Sequence, residues 1–255
     1  MLLSAIDRWL APAPPPGRID WLRGTTFAHR GVHDATVPEN SPTAFARAIE
    51  RALGIECDVQ RSSEDQPVVF HDWELDRLTP SRGLVRSRPM SELRMMGLSG
   101  SADIIPTLQD LLQLVAGRVP LLIEVKSRRE LRVAAFCRAI RAALEGYLGA
   151  VAVMSFDPRV GGWFARQAPH VPRGLVVTEE DAHGAAGRLR RHLALWHAKP
   201  DFLAYDVRDL PSRFAASQRS RGLPVATWTV RLPELAQRAA AHADAPIAEN
   251  AGLSS

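Results

Sequence analysis

Two short apolar runs carry polar side chains at a spacing that can do chemistry. "GIECDVQ" sets Glu56 and Asp58 two positions apart, and "LLIEVKS" repeats that spacing with Glu124 and Lys126. In a strand, residues i and i+2 face the same way, so Glu56 and Asp58 project together while Cys57 turns away. Neighbouring carboxylates repel, and in apolar surroundings both ionise only if a cation lies between them or one takes up a proton. Glu124 can add a third carboxylate. An oxygen-only donor set favours a hard cation, Mg²⁺ or Ca²⁺, over zinc. Lys126 can offer a fixed positive charge to a phosphate oxygen. Taken singly, the same residues also read as solvated strand-end acids and an ordinary Glu–Lys ion pair.

"FAHRG" and "VVFHD" each place a histidine, His29 and His71, where an apolar run stops. Imidazole gives or takes a proton near neutral pH, so two histidines flanking a reacting centre can serve as general base and general acid. Either alone also reads as a structural strand-end histidine. Arg30 offers bidentate phosphate recognition, and Gly31 permits a tight turn. In "VPENSPTAF", Glu39 and Asn40 precede Ser41, a helix N-cap with Pro42 at the first helical position. Histidines 33, 170, 183, 192, 197 and 242 and Asp34 have loop or helix settings and are assigned no chemistry.

Positioning these residues requires repeated βα units. After the Pro-rich "APAPPPG", eight apolar runs, from "TTFAHRG" to "APIAEN", alternate with amphipathic helical stretches, among them "RRELRVAAFCRAIRAALEG". That alternation means a parallel sheet, and eight strands in roughly 230 residues match a (β/α)₈ TIM-type barrel. The alternative, an open doubly wound sheet, is disfavoured because no Gly-rich phosphate loop follows the first strand. Between Val59 and Pro106, an extra strand-like "PVVFHD" and a long arginine-rich stretch read as an insertion over the barrel mouth, about residues 61–106. The barrel domain is expected over residues 25–255, after an N-terminal helix and linker over 1–24. Only "AGLSS" follows "APIAEN", too little for an eighth helix, and the N-terminal helix is expected to cover the surface left bare.

The 255 residues are 46% hydrophobic and 24% charged, enough for one sizeable core. The net charge is only +4, from arginines dispersed over many segments, which suits anionic small molecules and does not call for nucleic acid. Two cysteines, Cys57 and Cys137, make neither a zinc motif nor a disulfide framework and fit a reducing compartment. Leu2, Leu3, Ile6, Trp9 and Leu10 recur at helical spacing, but Asp7 and Arg8 interrupt a run already too short for a secretory signal, so none is expected. An amphipathic helix packed on the protein is expected, with at most a weak peripheral membrane contact. A cytoplasmic protein is expected, and oligomeric state has no signal in the sequence.

The ordered set "AHRG", "PENSPTAF", "GIECDVQ", "VVFHD", "LDRLT", "IPTLQDLL" and "LLIEVK" resembles the glycerophosphodiester phosphodiesterase family, within the wider group of barrel-fold phosphodiesterases. The resemblance implies a TIM-type barrel with a segment inserted after the second strand. It implies metal-dependent hydrolysis of glycerophosphodiesters to sn-glycerol 3-phosphate and an alcohol. By this resemblance Glu56, Asp58 and Glu124 correspond to the metal ligands for one divalent cation, Mg²⁺ ahead of Ca²⁺. His29 and His71 correspond to the acid–base pair, and Arg30 and Lys126 to phosphate-contacting cations. Glu39 corresponds to the glutamate of the family's "PEN" motif, on the substrate side. Later in the chain "VMSFDP" and "ATWTV" fit family strands, and Trp228 is expected to wall the pocket. Two departures stand out: Arg231 replaces the asparagine that usually follows "WTV", and Ala248-Glu249-Asn250 replaces a Thr-Asp motif. An alternative within the resemblance is lysophospholipase D-type hydrolysis of a lipid-bearing diester; a catalytically silent phosphodiester sensor is disfavoured because every motif position is filled.

Overall fold

The structure, a computed structural model, describes residues 2–180, 182 and 184–253, with Leu2 by its backbone alone. His183 and the outermost residues of the expected 1–24 and 25–255 segments lie outside the described residues. In chain order the elements are α1 (Leu2–Leu10), β1 (Phe27–His29), α2 (Pro42–Glu50), β2 (Gly54–Arg61), β3 (Pro67–Val69) and α3 (Met90–Leu93). Then come α4 (Leu108–Val115), β4 (Leu121–Val125), α5 (Val133–Ala143), β5 (Val151–Ser155), α6 (Pro158–Gln167) and β6 (Arg173–Val177). The last are α7 (Gly184–Ala198), β7 (Phe202–Asp206), α8 (Arg213–Ser220), β8 (Val225–Val230), α9 (Pro233–His242) and β9 (Ala245–Ala248). The strand order is β1-β9-β8-β7-β6-β5-β4-β2-β3, with β1 also paired to β2, which is the (β/α)₈ barrel with β3 as an added strand.

The chain forms two compact units, Ala28–Val151 and Met1–Phe27 with Ala152–Ser255. In the first, β2 lies parallel to β4 with Asp58 opposite Glu124, and antiparallel to β3 with Val59 opposite Val69. All eight residues of β2 and all five of β4 are buried, so the carboxylates sit in strands covered on both faces. Helix α2 starts where Ser41 accepts a hydrogen bond from the Ala44 N–H, with Pro42 behind it. Thr107 and Asp110 close a reciprocal capping box on α4. Between β2 and α4 the chain folds on its own small apolar core, in which Phe70, Leu75, Val85, Leu93 and Leu98 meet Val68 of β3. Helix α5 starts at Val133, later than the periodicity of "RRELRVAAFC" predicts. The preceding residues turn instead, with the Leu131 N–H bonded to the Arg128 carbonyl and the Arg128 guanidinium stacked 4.2 Å over the Trp73 ring.

In the second unit β5 to β9 run parallel in consecutive order. Helix α1 packs on its body through one buried carboxylate. Asp7, fully buried, accepts from Trp196 Nε1 at 2.7 Å and Gln218 Nε2 at 2.9 Å and meets His192 Nδ1 at 2.8 Å. Ala11, just past the helix, joins the apolar cluster of Leu195, Leu203, Tyr205 and Phe214. Asp7 thereby fixes α1 on α7 and α8 instead of the surface after β9, which corrects the expected position. The cause is the interruption at Asp7 itself, a carboxylate that finds its donors on those two helices. After β9 a single helical turn, Asn250–Leu253, follows.

Candidate active site

The first βα corner is built by backbone conformation. Arg30 and Asn40 both adopt left-handed φ, 55° and 56°, unusual for residues with a Cβ, and Gly31 follows at 80°. The Asn40 N–H bonds to the Arg30 carbonyl at 2.9 Å and the Gly31 N–H to the Ala28 carbonyl at 3.2 Å, holding the loop closed. A Cβ on Gly31 would lie 2.8 Å from the Ala44 carbonyl carbon, so the glycine lets α2 approach the corner. The result turns the Arg30 N–H onto Glu56 Oε2 at 3.1 Å and leaves its side chain over the neighbouring acids. Backbone strain at a ligand-facing corner is a recurring mark of functional loops.

Glu56, Asp58 and Glu124 converge: one oxygen from each lies within 4.8 Å of the others, and all three are buried. Two cations hold the cluster. Lys126 Nζ lies 2.8 Å from Asp58 Oδ1 and 2.7 Å from Glu124 Oε1. Arg30 Nε lies 3.2 Å from Asp58 Oδ2, while its Nη1 donates to Glu39 Oε1 at 2.8 Å. Asn40 closes a two-way clasp, donating to Asp58 Oδ2 at 2.9 Å and accepting from the Asp58 N–H at 3.2 Å.

The electrostatics separate the acids. Burial opposes ionisation of Asp58, but Lys126 and then Arg30 outweigh it and hold that carboxyl well below the usual range. Burial pushes Glu56 up, and repulsion from Asp58 and Glu124 adds to it, so its carboxyl titrates well above the ordinary value. Burial works against the Lys126 ammonium, yet Asp58 and Glu124 raise its affinity for the proton. Glu39 shares the Arg30 guanidinium, so the carboxylates around this corner outnumber Arg30 and Lys126. With oxygen as the only donor, the cluster fits a hard divalent cation.

His71 follows β3, and its Nδ1 lies 2.7 Å from Asp72 Oδ1. Its charged form would act on Asp58, lowering that carboxyl further. His29 ends β1 and is buried next to Arg30. Trp228, on β8 in the second unit, donates from Nε1 to the Ala204 carbonyl at 2.9 Å, and its ring meets Phe156 edge-on at 5.5 Å between centroids. The structure therefore gathers Glu56, Asp58, Glu124, Arg30, Lys126 and Glu39, with His71 in electrostatic reach. Arg231 and Glu249, the two departures from the family pattern, are partners: Arg231 Nε donates to Glu249 Oε1 at 2.5 Å.

Three further polar residues take part. Gln60, the next residue on the carboxylate face of β2, donates from Nε2 to the backbone carbonyls of His71 at 3.0 Å and Asp72 at 2.7 Å. Arg77 grips both Asp72 and Glu39. Period-2 spacing carries the signal for Gln60, whereas Asp72 and Arg77 lie in "HDWELDR", where no periodicity marks them.

Comparison with known proteins identifies the family and the fold. The profile of the glycerophosphoryl diester phosphodiesterase family matches residues 29–249. A glycerophosphodiester phosphodiesterase of Caldanaerobacter subterraneus subsp. tengcongensis is 32% identical over 164 residues, 61% of this chain and 67% of that protein. One from Bacillus altitudinis is 32% identical over 163 residues, 60% of this chain and 66% of its own length. The aligned stretch thus spans about two thirds of the curated relatives. Among solved structures, a protein of Silicibacter pomeroyi assigned to the glycerophosphoryl diester phosphodiesterases superposes with a TM-score of 0.76 at 25% identity, covering 91% of this chain and 93% of that one. An Oleispira antarctica phosphodiesterase, solved with its product sn-glycerol-3-phosphate, superposes with a TM-score of 0.77 at 23% identity over 89% and 93% of the two chains. With its barrel and motif residues in family order over residues 29–249, the chain belongs to the glycerophosphoryl diester phosphodiesterase family, a family of phosphoric diester hydrolases.

Proposed function

We propose that the protein hydrolyses glycerophosphodiesters to sn-glycerol 3-phosphate and an alcohol, with one divalent cation, Mg²⁺ ahead of Ca²⁺, held by Glu56, Asp58 and Glu124. The observation that carries this reading is the buried convergence of those three carboxylates, with Arg30 and Lys126 bonded to them. A bound cation would supply Lewis-acid polarisation of the phosphoryl group and neutralise charge developing on it. The protein's own groups do the rest. Arg30 and Lys126, fixed by their carboxylate partners, present cationic N–H donors where a phosphodiester's oxygens carry their charge. His29 and His71 move protons, one taking it from the nucleophile and the other giving it to the departing alkoxide, a poor leaving group without that proton. Glu39 fastens Arg30 in place, and Trp228 supplies an aromatic wall on the alcohol side.

The domain that does this spans residues 25–255, with residues 1–24 as an N-terminal helix and linker and about 61–106 as an insertion. The substrate is a small molecule, and the cytoplasm is its compartment, in keeping with two buried cysteines, Cys57 and Cys137. Among the described residues no helix is long and apolar enough to cross a membrane. The reading is tested by following glycerophosphocholine by ³¹P NMR in the presence of purified protein and Mg²⁺ or Ca²⁺. Conversion of the diester resonance to that of a glycerol phosphate monoester is expected, and an unchanged diester would refute it.

A further inference from the structure

Asp72 and Arg77 lie beside the site, bonded to each other, to His71 and to Glu39. We propose that Asp72 is a positioning residue for His71, and that Arg77, bridging Asp72 to Glu39, locks that pair to the Arg30 corner. The proposal rests on the reading of His71 as a proton-transfer group.

The contacts run without a break. His71 Nδ1 meets Asp72 Oδ1 at 2.7 Å. Arg77 forks onto Asp72, from Nε to Oδ2 at 2.6 Å and from Nη2 to Oδ1 at 3.0 Å. The same guanidinium reaches Glu39, from Nη2 to Oε1 at 2.7 Å and from Nη1 to Oε2 at 3.1 Å. Glu39 in turn accepts from Arg30 Nη1, and Arg30 reaches Asp58. Gln60 anchors the other end, holding the backbone carbonyls of both His71 and Asp72 from a buried place on β2. His71 is therefore fixed at its backbone by β2 and at its ring by a carboxylate that is itself clamped.

The chemistry of that arrangement is specific. A carboxylate accepting from Nδ1–H selects the neutral tautomer whose lone pair is on Nε2, and it stabilises the imidazolium formed when Nε2 takes a proton. Glu39, His71 and Asp72 also offer ligand atoms close enough to share a metal ion. The Arg77 guanidinium already bridges the two carboxylates, and Asp72 engages Nδ1, so the cluster has its cation and the positioning role is the one the contacts favour.

The test combines NMR with kinetics. In ¹⁵N-labelled protein, at a pH where the ring is neutral, long-range ¹H–¹⁵N correlations should show His71 as the Nδ1–H tautomer, assigned by its loss in His71→Gln. Asp72→Asn presents an amide that can donate to Nδ1, so the tautomer should reverse. With glycerophosphocholine and Mg²⁺, kcat should fall about 10- to 100-fold, part of the about 10²–10⁴ that general acid–base catalysis contributes. KM should stay within about twofold, and Asp72→Glu should recover part of kcat. Arg77→Gln should lower kcat in the same direction by less. An Nε2–H tautomer in the unmodified protein would overturn the proposal, as would wild-type kcat in a folded Asp72→Asn. If His71→Gln is inactive while Asp72→Asn is unaffected, this inference alone falls. If the unmodified protein leaves every diester intact, the functional reading falls, and the tautomer still decides whether Asp72 sets His71.

Discussion

At the residue scale, Asp58 is the most heavily partnered acid of the site, meeting Lys126, Arg30 and the Asn40 amide. Glu56 accepts from the Arg30 backbone N–H, while burial and the neighbouring Asp58 and Glu124 raise its carboxyl well above the ordinary value. If His29 and His71 carry the proton transfers, His29→Ala and His71→Ala should each lower the hydrolysis rate at least about 100-fold, while circular dichroism stays unchanged. Near-normal turnover would remove that residue from the mechanism. Asp72 yields a pH prediction. Burial resists its ionisation, but the hydrogen bonds from Arg77 and His71 bring its folded value down to about 2, below the ordinary 3.8. A depressed carboxyl stabilises the fold above its unfolded value, and that contribution disappears as pH falls from about 4 to about 2. Because the site is partly open, the effect is modest. Urea midpoints of the wild type and Asp72→Asn should differ at pH 6 and converge near pH 2.

Part of the acidic cluster was legible from the sequence because period-2 spacing survives in apolar strands, pairing Glu56 with Asp58 and Glu124 with Lys126, while only the pairing of β2 with β4 sets Asp58 opposite Glu124. Asn40, Asp72 and Arg77 act through loops, whose paths no periodicity specifies. Arg77 reaches Glu39, 38 positions earlier, only because the segment between β2 and α4 folds on its own apolar core. Arg231 and Glu249 stood out singly as departures, and only the fold shows that they are one ion pair.

At the scale of elements, the corner between β1 and α2 depends on a glycine and a cap. Gly31→Ala combines a φ of 80° with a Cβ 2.8 Å from the α2 backbone, and it should destabilise the protein by about 1–3 kcal/mol. The same substitution should lower activity beyond the loss of stability, since the corner orients Arg30 and its N–H toward Glu56. Urea denaturation and kcat on the same sample separate the two effects. The eight barrel strands and the caps at Ser41 and Thr107 follow from local chemistry. The late start of α5 does not, because Arg128 stacking on Trp73 is a contact across 55 positions.

For the whole molecule, α1 is secured by a buried carboxylate, not by apolar contact alone. Asp7→Ala would strand the indole N–H of Trp196 and the Gln218 amide, costing about 3 kcal/mol and seen as a lower melting temperature. A wild-type melting temperature would show that the Asp7 hydrogen bonds do not secure α1. The central claim concerns the cation. The most direct measurement is the rate at which sn-glycerol 3-phosphate is released from glycerophosphocholine, coupled to glycerol-3-phosphate dehydrogenase, before metal removal, after it, and after Mg²⁺ is restored. Release that stops when the metal is stripped and returns with Mg²⁺, but does not return in Glu56→Gln or Glu124→Gln, is the predicted result. A rate unchanged by thorough metal removal would contradict it.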